Sequence, residues 1–274
     1  MLMQLELEQL VASATADIVS VAYRRLADDQ TFQLNASTEL PSASTMKVCV
    51  LMELFRQANS CELSLEDTIP IHLDFRSLAD GTPFRLSAED DSEKSLYDRI
   101  GESESLLNLA KPMITVSSNL ATNLILERIG ASKVTTFMSD LGAPSLKILR
   151  GVVDLRAFEL GLNNSVSAEG LTTILTALAR FDVVSETASK AMLEILFAQT
   201  HRDCIPAGLP LDTPCANKTG WYDGICHDTA IVYPKVDSPY VLTVLTSGIA
   251  DRSLAQELIA DISRLIFRFN AEVN

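Results

Sequence analysis

Basic residues are scarce in this chain: 22 lysines and arginines stand against 36 aspartates and glutamates, a formal net charge of -14 over 274 residues. Such a surface repels nucleic acid and anionic membranes over most of its exterior, so no nucleic-acid partner is expected. Long uncharged apolar runs are missing too. The best C-terminal candidate, YVLTVLTSGIA, falls short of the roughly 18 residues that a membrane span needs, and no membrane partner is expected. The three histidines, His72, His201 and His227, share no metal-ligand spacing with one another or with cysteine, so no metal site is expected. A P-loop and a G-x-G-x-x-G are both absent, which removes support for nucleotide use; no cofactor is expected. The five cysteines, Cys49, Cys61, Cys204, Cys215 and Cys226, are odd in number, widely spaced and form no C-x-x-C. Free thiols in a reducing compartment are expected rather than a disulfide framework. The N-terminal MLMQLELEQLVASA has no basic leader, and Glu6 and Glu8 interrupt its apolar stretch. The expected location is the cytoplasm for the chain as it stands, or the periplasm or exterior if a leader has been removed.

What is present is a globular composition, 47% apolar and 21% charged, long enough for one large domain or two lobes built around each other. Much of the acid sits in SAEDDSEKSLYDRIGESES, residues 87–105, read as a solvated loop or exposed helix. After a short amphipathic helix over about 3–14, DIVSVAYRRL and TFQLNAS alternate as two strands of a hairpin around ADDQ. The middle of the chain is helical: STMKVCVLMELFRQA, SESLLNLAKPMI, SSNLATNLILERIG, ASKVTTFMSDLG and SAEGLTTILTALARF repeat apolar residues at helical spacing. The C-terminal part returns to strands, CANKTGW, CHDTAIVYP and YVLTVLTSG, before a closing helix, DRSLAQELIADISRLIFRF. This order predicts an α/β protein of the α+β sandwich type. Its antiparallel sheet comes from both chain ends and is flanked by helices, with an all-helical lobe inserted. The expected division is a sheet lobe of residues 1–43 and 206–274 and a helical lobe of 44–205, with the site in the cleft between them.

One stretch, PSASTMKVCVLMELF, puts Ser44 and Lys47 on the leading turn of a helix about to enter the core. Residues i and i+3 share a helix face, so the two side chains can touch. The helix N-terminus favours developing negative charge at the hydroxyl. A lysine held among apolar neighbours loses its proton more easily and can accept the serine's. The bland alternative is a capping serine and a snorkelling lysine. An S-x-x-K arises by chance on the order of once in such a chain, and this is the only one here. Two further motifs follow. Ser117 and Asn119 form S-x-N at the junction of two helical patterns, and Lys218, Thr219 and Gly220 form K-T-G at the end of a strand. K-T-G is the rarer, expected in roughly one such chain in twenty.

The three motifs in this order resemble the signature of the penicillin-recognising serine enzymes, the class A β-lactamases and penicillin-binding proteins. The likeness covers nearly the whole chain: GTPFRL, MITVSSNLATNLILERIG and KTGWYDGICHDTAIVYP with VLTVLTSG are each similar to the corresponding family segment. It implies that Ser44 attacks a carbonyl carbon to form an acyl-enzyme and that Lys47 activates it, alone or through water. Ser117 would relay a proton to the leaving nitrogen while Asn119 binds the substrate amide and holds Lys47. Lys218 and Thr219 would receive a substrate carboxylate, and Gly220 would leave room for the acyl chain. The oxyanion hole would be the backbone N–H groups of Ser44 and Trp221, each donor contributing ~10² to 10³ in rate. Trp221 itself either walls the cleft or packs as an edge aromatic, and His227 with Asp228, expected near the K-T-G strand, is read as structural.

Two departures stand out. The family's usual Ser-Asp-Asn has Ser118 at its centre here, which changes the charge at that turn. The family's deacylating glutamate lies in an E-x-x-L-N pattern that Glu159, Leu162 and Asn163 match, but a helix starting near Ser165 or Ser167 truncates the loop. Glu159 is therefore read as a solvated side chain. The implied function is a serine β-lactamase-like hydrolase acting on a small-molecule β-lactam through an acyl-serine. The alternatives are a related esterase, amidase or D,D-peptidase, or a penicillin-binding sensor without turnover.

Overall fold

Five strands form one antiparallel sheet in the computed structural model, which describes residues 2–234 and 238–272. They are β1 (Ile18–Arg25), β2 (Thr31–Leu34), β3 (Cys215–Tyr222), β4 (Ile225–Val232) and β5 (Tyr240–Ser247), in the order β2-β1-β5-β4-β3. The two chain ends meet where β1 pairs with β5, from Ile18 opposite Ser247 to Arg25 opposite Tyr240. Strand β3 lies at the edge, joined to β4 by the two-residue loop Asp223-Gly224, whose glycine adopts the φ of +73° that this tight turn requires. Residue 1 and residues 235–237 and 273–274 of the expected sheet lobe lie outside the described residues.

Alternation along the strands gives the sheet two buried faces. Val19, Val21, Tyr23, Leu242 and Val244 face one way, against Leu7 of α1 (Leu2–Ser13) and the Leu258, Ile259, Ile262, Leu265 and Ile266 stripe of α9 (Arg252–Glu272). Ala22, Ala216, Ile231, Val241 and Leu245 face the other way and join the core of the remaining helices. That core is centred on α2 (Lys47–Asn59), buried on every side from Lys47 to Phe55, as a helix with apolar residues all round must be. Around it pack α3 (Leu106–Thr115), α4 (Asn119–Ile129), α5 (Ala131–Asp140) and α8 (Glu186–Phe197). Helix α6 (Leu155–Glu159) is a single short turn, and α7 (Ala168–Ala179) lies on the sheet itself. The fold class expected from the sequence is the one observed.

Serine caps fix several of the helix starts. Ser105, Ser118, Ser167 and Ser185 each accept a backbone N–H three residues on, opening α3, α4, α7 and α8. Helix α8 and the two- and three-residue ladders, such as Leu40–Pro41 against Ser165–Val166, are additions to the sequence reading.

Candidate active site

Ser44 lies just before α2 rather than within it. It sits in a 3-10 turn, Ala43–Met46, that runs into α2 at Lys47. In a 3-10 turn residues i and i+3 eclipse, so Ser44 and Lys47 remain on one side. The chain enters this turn through Ala43 at φ +44°, a left-handed conformation costly for alanine. Hydrogen bonds to the two residues before it hold it there. Ser42 N–H donates to Asn164 O at 2.9 Å, and His227 Nε2 donates to Pro41 O at 3.0 Å. Thr45, Met46 and Lys47 are buried while Ser44 is partly exposed, and its hydroxyl makes no hydrogen bond among the described residues.

The Lys47 amine is fully buried and points to the turn between α3 and α4. It donates to Ser117 O at 2.8 Å and Asn119 Oδ1 at 2.9 Å, and lies 3.2 Å from Ser117 Oγ. Ser44 is not among its hydrogen-bond partners, so the direct pair expected from sequence spacing is replaced by a contact with the second motif. Burial first, and the Lys218 charge second, hold Lys47 well below the ordinary lysine value, against an opposing pull from Asp91. A neutral amine has two N–H bonds and one lone pair. Ser117 O and Asn119 Oδ1 are the shortest of its contacts, with Ser118 O at 3.5 Å, and the lowered basicity favours this neutral form, whose lone pair can accept a proton.

The α3–α4 turn is strained and heavily tied. Ser117 adopts φ +63° and is buried. Asp91, from the acidic segment read as solvated, is buried beside it. Its Oδ2 accepts from Leu120 N at 2.6 Å, Tyr97 Oη at 3.1 Å and Ser118 Oγ at 3.2 Å. The carbonyl of Asp90 accepts from Asn119 Nδ2 at 2.7 Å. A carboxylate thus returns to the turn where Ser118 had removed one, supplied from 27 residues upstream. Asp91→Ala would leave Leu120 N–H and Ser118 O–H unpaired; urea unfolding should show a loss of about 2–3 kcal/mol. Asp90→Ala, which keeps the carbonyl, should change stability by less than about 0.5 kcal/mol.

Strand β3 brings the third motif to the Ser44 turn. A Cβ at Gly220 would stand 2.6 Å from Ser44 N and 2.9 Å from Ala43 Cβ, so only glycine allows the strand this close. Tyr233 N donates to Pro214 O, which fixes the alternation of the β3–β4 ladder and makes Trp221 opposite Cys226 a non-hydrogen-bonded pair. The Trp221 N–H therefore points away from β4, off the free edge of the sheet. Lys218 is fully buried; burial lowers it to about 7, with Asp228 opposing. Its Nζ donates to Thr219 O at 2.8 Å, while Thr219 Oγ1 is buried without a hydrogen-bond partner. The Trp221 ring is covered by Arg252 at 3.8 Å and met edge-on by His201.

Other candidates separate cleanly. His227 accepts Thr246 N–H on Nδ1 and donates through Nε2, and burial lowers it to about 4, which makes it a neutral structural clamp on Pro41. Glu159 is an exposed side chain, 68% accessible, within 3.8 Å of Arg156. Asp91 was missed from sequence, whereas Asp228 was read with His227 as structural. Asp228 is fully buried, raised to about 7 by burial and bonded to Asn217 Nδ2 and Ile205 N. Among the described residues no group of three or more His, Cys, Asp or Glu side chains could hold a metal ion, and no helix is long and apolar enough to cross a membrane.

Comparison with known proteins gives a consistent picture. A model described as the β-lactamase enzyme family matches residues 3–269. A β-lactamase of Streptomyces albus G is 31% identical over 58% of this chain, and the match spans about half of that protein's length, 52%. An imipenem-hydrolysing β-lactamase of Enterobacter cloacae is 25% identical over 86% of this chain and 79% of its own. Among solved structures, that of PBP-A superimposes with a TM-score of 0.84 at 21% identity, covering 98% of this chain and 96% of the other.

Proposed function

The chain belongs to the β-lactamase enzyme family, and from that premise we propose that it is a serine hydrolase opening a β-lactam amide through an acyl-serine. Ser44 Oγ adds to the lactam carbonyl carbon as its proton passes, directly or through water, to the Lys47 lone pair. The ring C–N bond then breaks, and the proton moves through Ser117 Oγ to the leaving nitrogen. The Ser44 and Trp221 N–H groups receive the oxyanion. Asn119 engages the substrate amide, and Lys218 with Thr219 receives a carboxylate. The substrate would lie between the β3 edge and the α3–α4 turn, in the cleft between the sheet lobe of residues 1–43 and 206–274 and the helical lobe of 44–205. The observation that carries the reading is a fully buried lysine whose amine reaches Ser117 and Asn119 one turn from an unbonded serine hydroxyl.

Incubation with a penicillin followed by intact-mass measurement tests it. A covalent adduct on the Ser44 peptide is expected, and none in Ser44→Ala; an undiminished adduct in that variant would move the nucleophile elsewhere.

A second reading concerns the fate of the adduct. Glu159 is solvated and paired with Arg156, so it gives no sign of positioning a hydrolytic water. That favours slow deacylation, as in a penicillin-binding or D,D-peptidase-like protein. Glu159→Gln should leave turnover of a chromogenic cephalosporin within about twofold of the parent. A persistent adduct in the parent would select this second reading over rapid hydrolysis.

A further inference from the structure

Cys204 and Cys226 play no part in the chemistry above, yet their sulfurs are only 3.9 Å apart, and each residue is 2% exposed. All five cysteines are free thiols. Cys49 and Cys215 are buried with no thiol in contact, and Cys61 is exposed and alone. We propose that Cys204 and Cys226 form a redox-active dithiol, a modification site that an oxidant of the peroxide class converts to a disulfide.

Three features support this. The first is position: Cys226, although buried, is one of the residues lining a surface pocket with Trp221, Tyr222, Ile249 and Arg252, so a small oxidant held there stands next to it. The second is local charge. The Arg252 guanidinium stands over the Trp221 ring in that pocket and favours the thiolate. The two thiols share a hydrogen bond in which either sulfur can be the donor, while burial and the buried Asp228 oppose ionisation of both. Cys226, the one of the two that lines the pocket, is the attacking sulfur and Cys204 the resolving one. The third is the backbone. Bonded sulfurs stand about 2.0 Å apart, so the gap must close by nearly half. Cys226 is fixed in β4 between β3 and β5, whereas Cys204 lies in irregular chain before the Ile205–Gly208 turn, where movement disturbs no ladder.

The steps balance. The Cys226 thiolate attacks one peroxide oxygen, the O–O bond breaks, and hydroxide leaves and takes a proton to become water. The resulting sulfenic acid is attacked by the Cys204 sulfur. Its S–O bond breaks, a second water leaves, and the disulfide forms. Two thiols lose two hydrogens and one hydrogen peroxide becomes two waters.

The test uses the full chain carrying Cys61→Ser, which removes the exposed thiol. After a small excess of hydrogen peroxide, intact mass should fall by two hydrogens and the denatured thiol count should fall from four to two. A peptide map should join the segments containing Cys204 and Cys226, and dithiothreitol should reverse all three changes. In Cys204→Ser the oxidation should stop at a dimedone-reactive sulfenic acid on Cys226. Retention of all four thiols, or gain of oxygen at Cys226 without a cross-link in the parent, would overturn the proposal. The map of the parent decides the matter even if the Cys204 variant does not fold.

Discussion

Replacing Lys47 with methionine is expected to slow acylation by a β-lactam by about 10² to 10⁴ while leaving the fold intact. The two effects separate because the amine is in the core for chemical rather than structural reasons. Lys47 is fully buried at the head of a helix buried on every side. Methionine has a similar length and no polar head to desolvate. Against that gain, Ser117 O and Asn119 Oδ1 lose a donor, a cost of about 1–3 kcal/mol. Stability should therefore change by less than about 2 kcal/mol in either direction, read from the urea midpoint. Stopped-flow mixing with a chromogenic cephalosporin reads the acylation rate. A variant that acylates within tenfold of the parent would remove Lys47 from the role of base.

Gly220→Ala should lose about 10² to 10³ in kcat. The added methyl would meet Ser44 N at 2.6 Å and Thr45 N at 2.9 Å, both backbone atoms that no rotamer change can move aside. Either β3 or the Ala43–Met46 turn must shift, and the two N–H donors proposed for the oxyanion lie one on each. Overpacking of this kind also costs about 1–3 kcal/mol of stability. Activity should fall by more than that stability loss accounts for at a temperature where both proteins are fully folded. Unaltered kcat would mean that the Ser44 and Trp221 N–H groups are not the oxyanion donors.

What could be read from the sequence was mostly local. Helical spacing of apolar residues in α3, α4 and α7 and the strand-like runs of β1, β4 and β5 placed those elements within a few residues. The Lys218–Gly220 triplet was placed at the end of a strand, and β3 ends two residues beyond it, at Tyr222. What escaped was long-range. The partners of the Lys47 amine are 70 and 72 residues away, so spacing along one helix suggested Ser44 instead. Asp91 lies in a run of acids whose other members face solvent or pair with surface arginines. No local pattern marks the one carboxylate that folds under the α3–α4 turn. The left-handed backbone at Ala43 is equally invisible, because alanine carries none of the signal that glycine or asparagine would. Helix α8 has a short buried stripe, Met192, Leu193, Ile195 and Leu196, interrupted by buried Ser189, which blunts its periodicity.

The account rests on a lysine whose burial makes it give up its proton more easily than usual, and its ionisation can be followed directly. With ¹³C at the lysine ε-carbons and Lys47→Met to assign the resonance, an NMR titration of the free protein reads the protonation of that one amine. The prediction is a midpoint well below 10.5, the ordinary lysine value. A Lys47 signal that stays protonated up to 10.5 or beyond would contradict it.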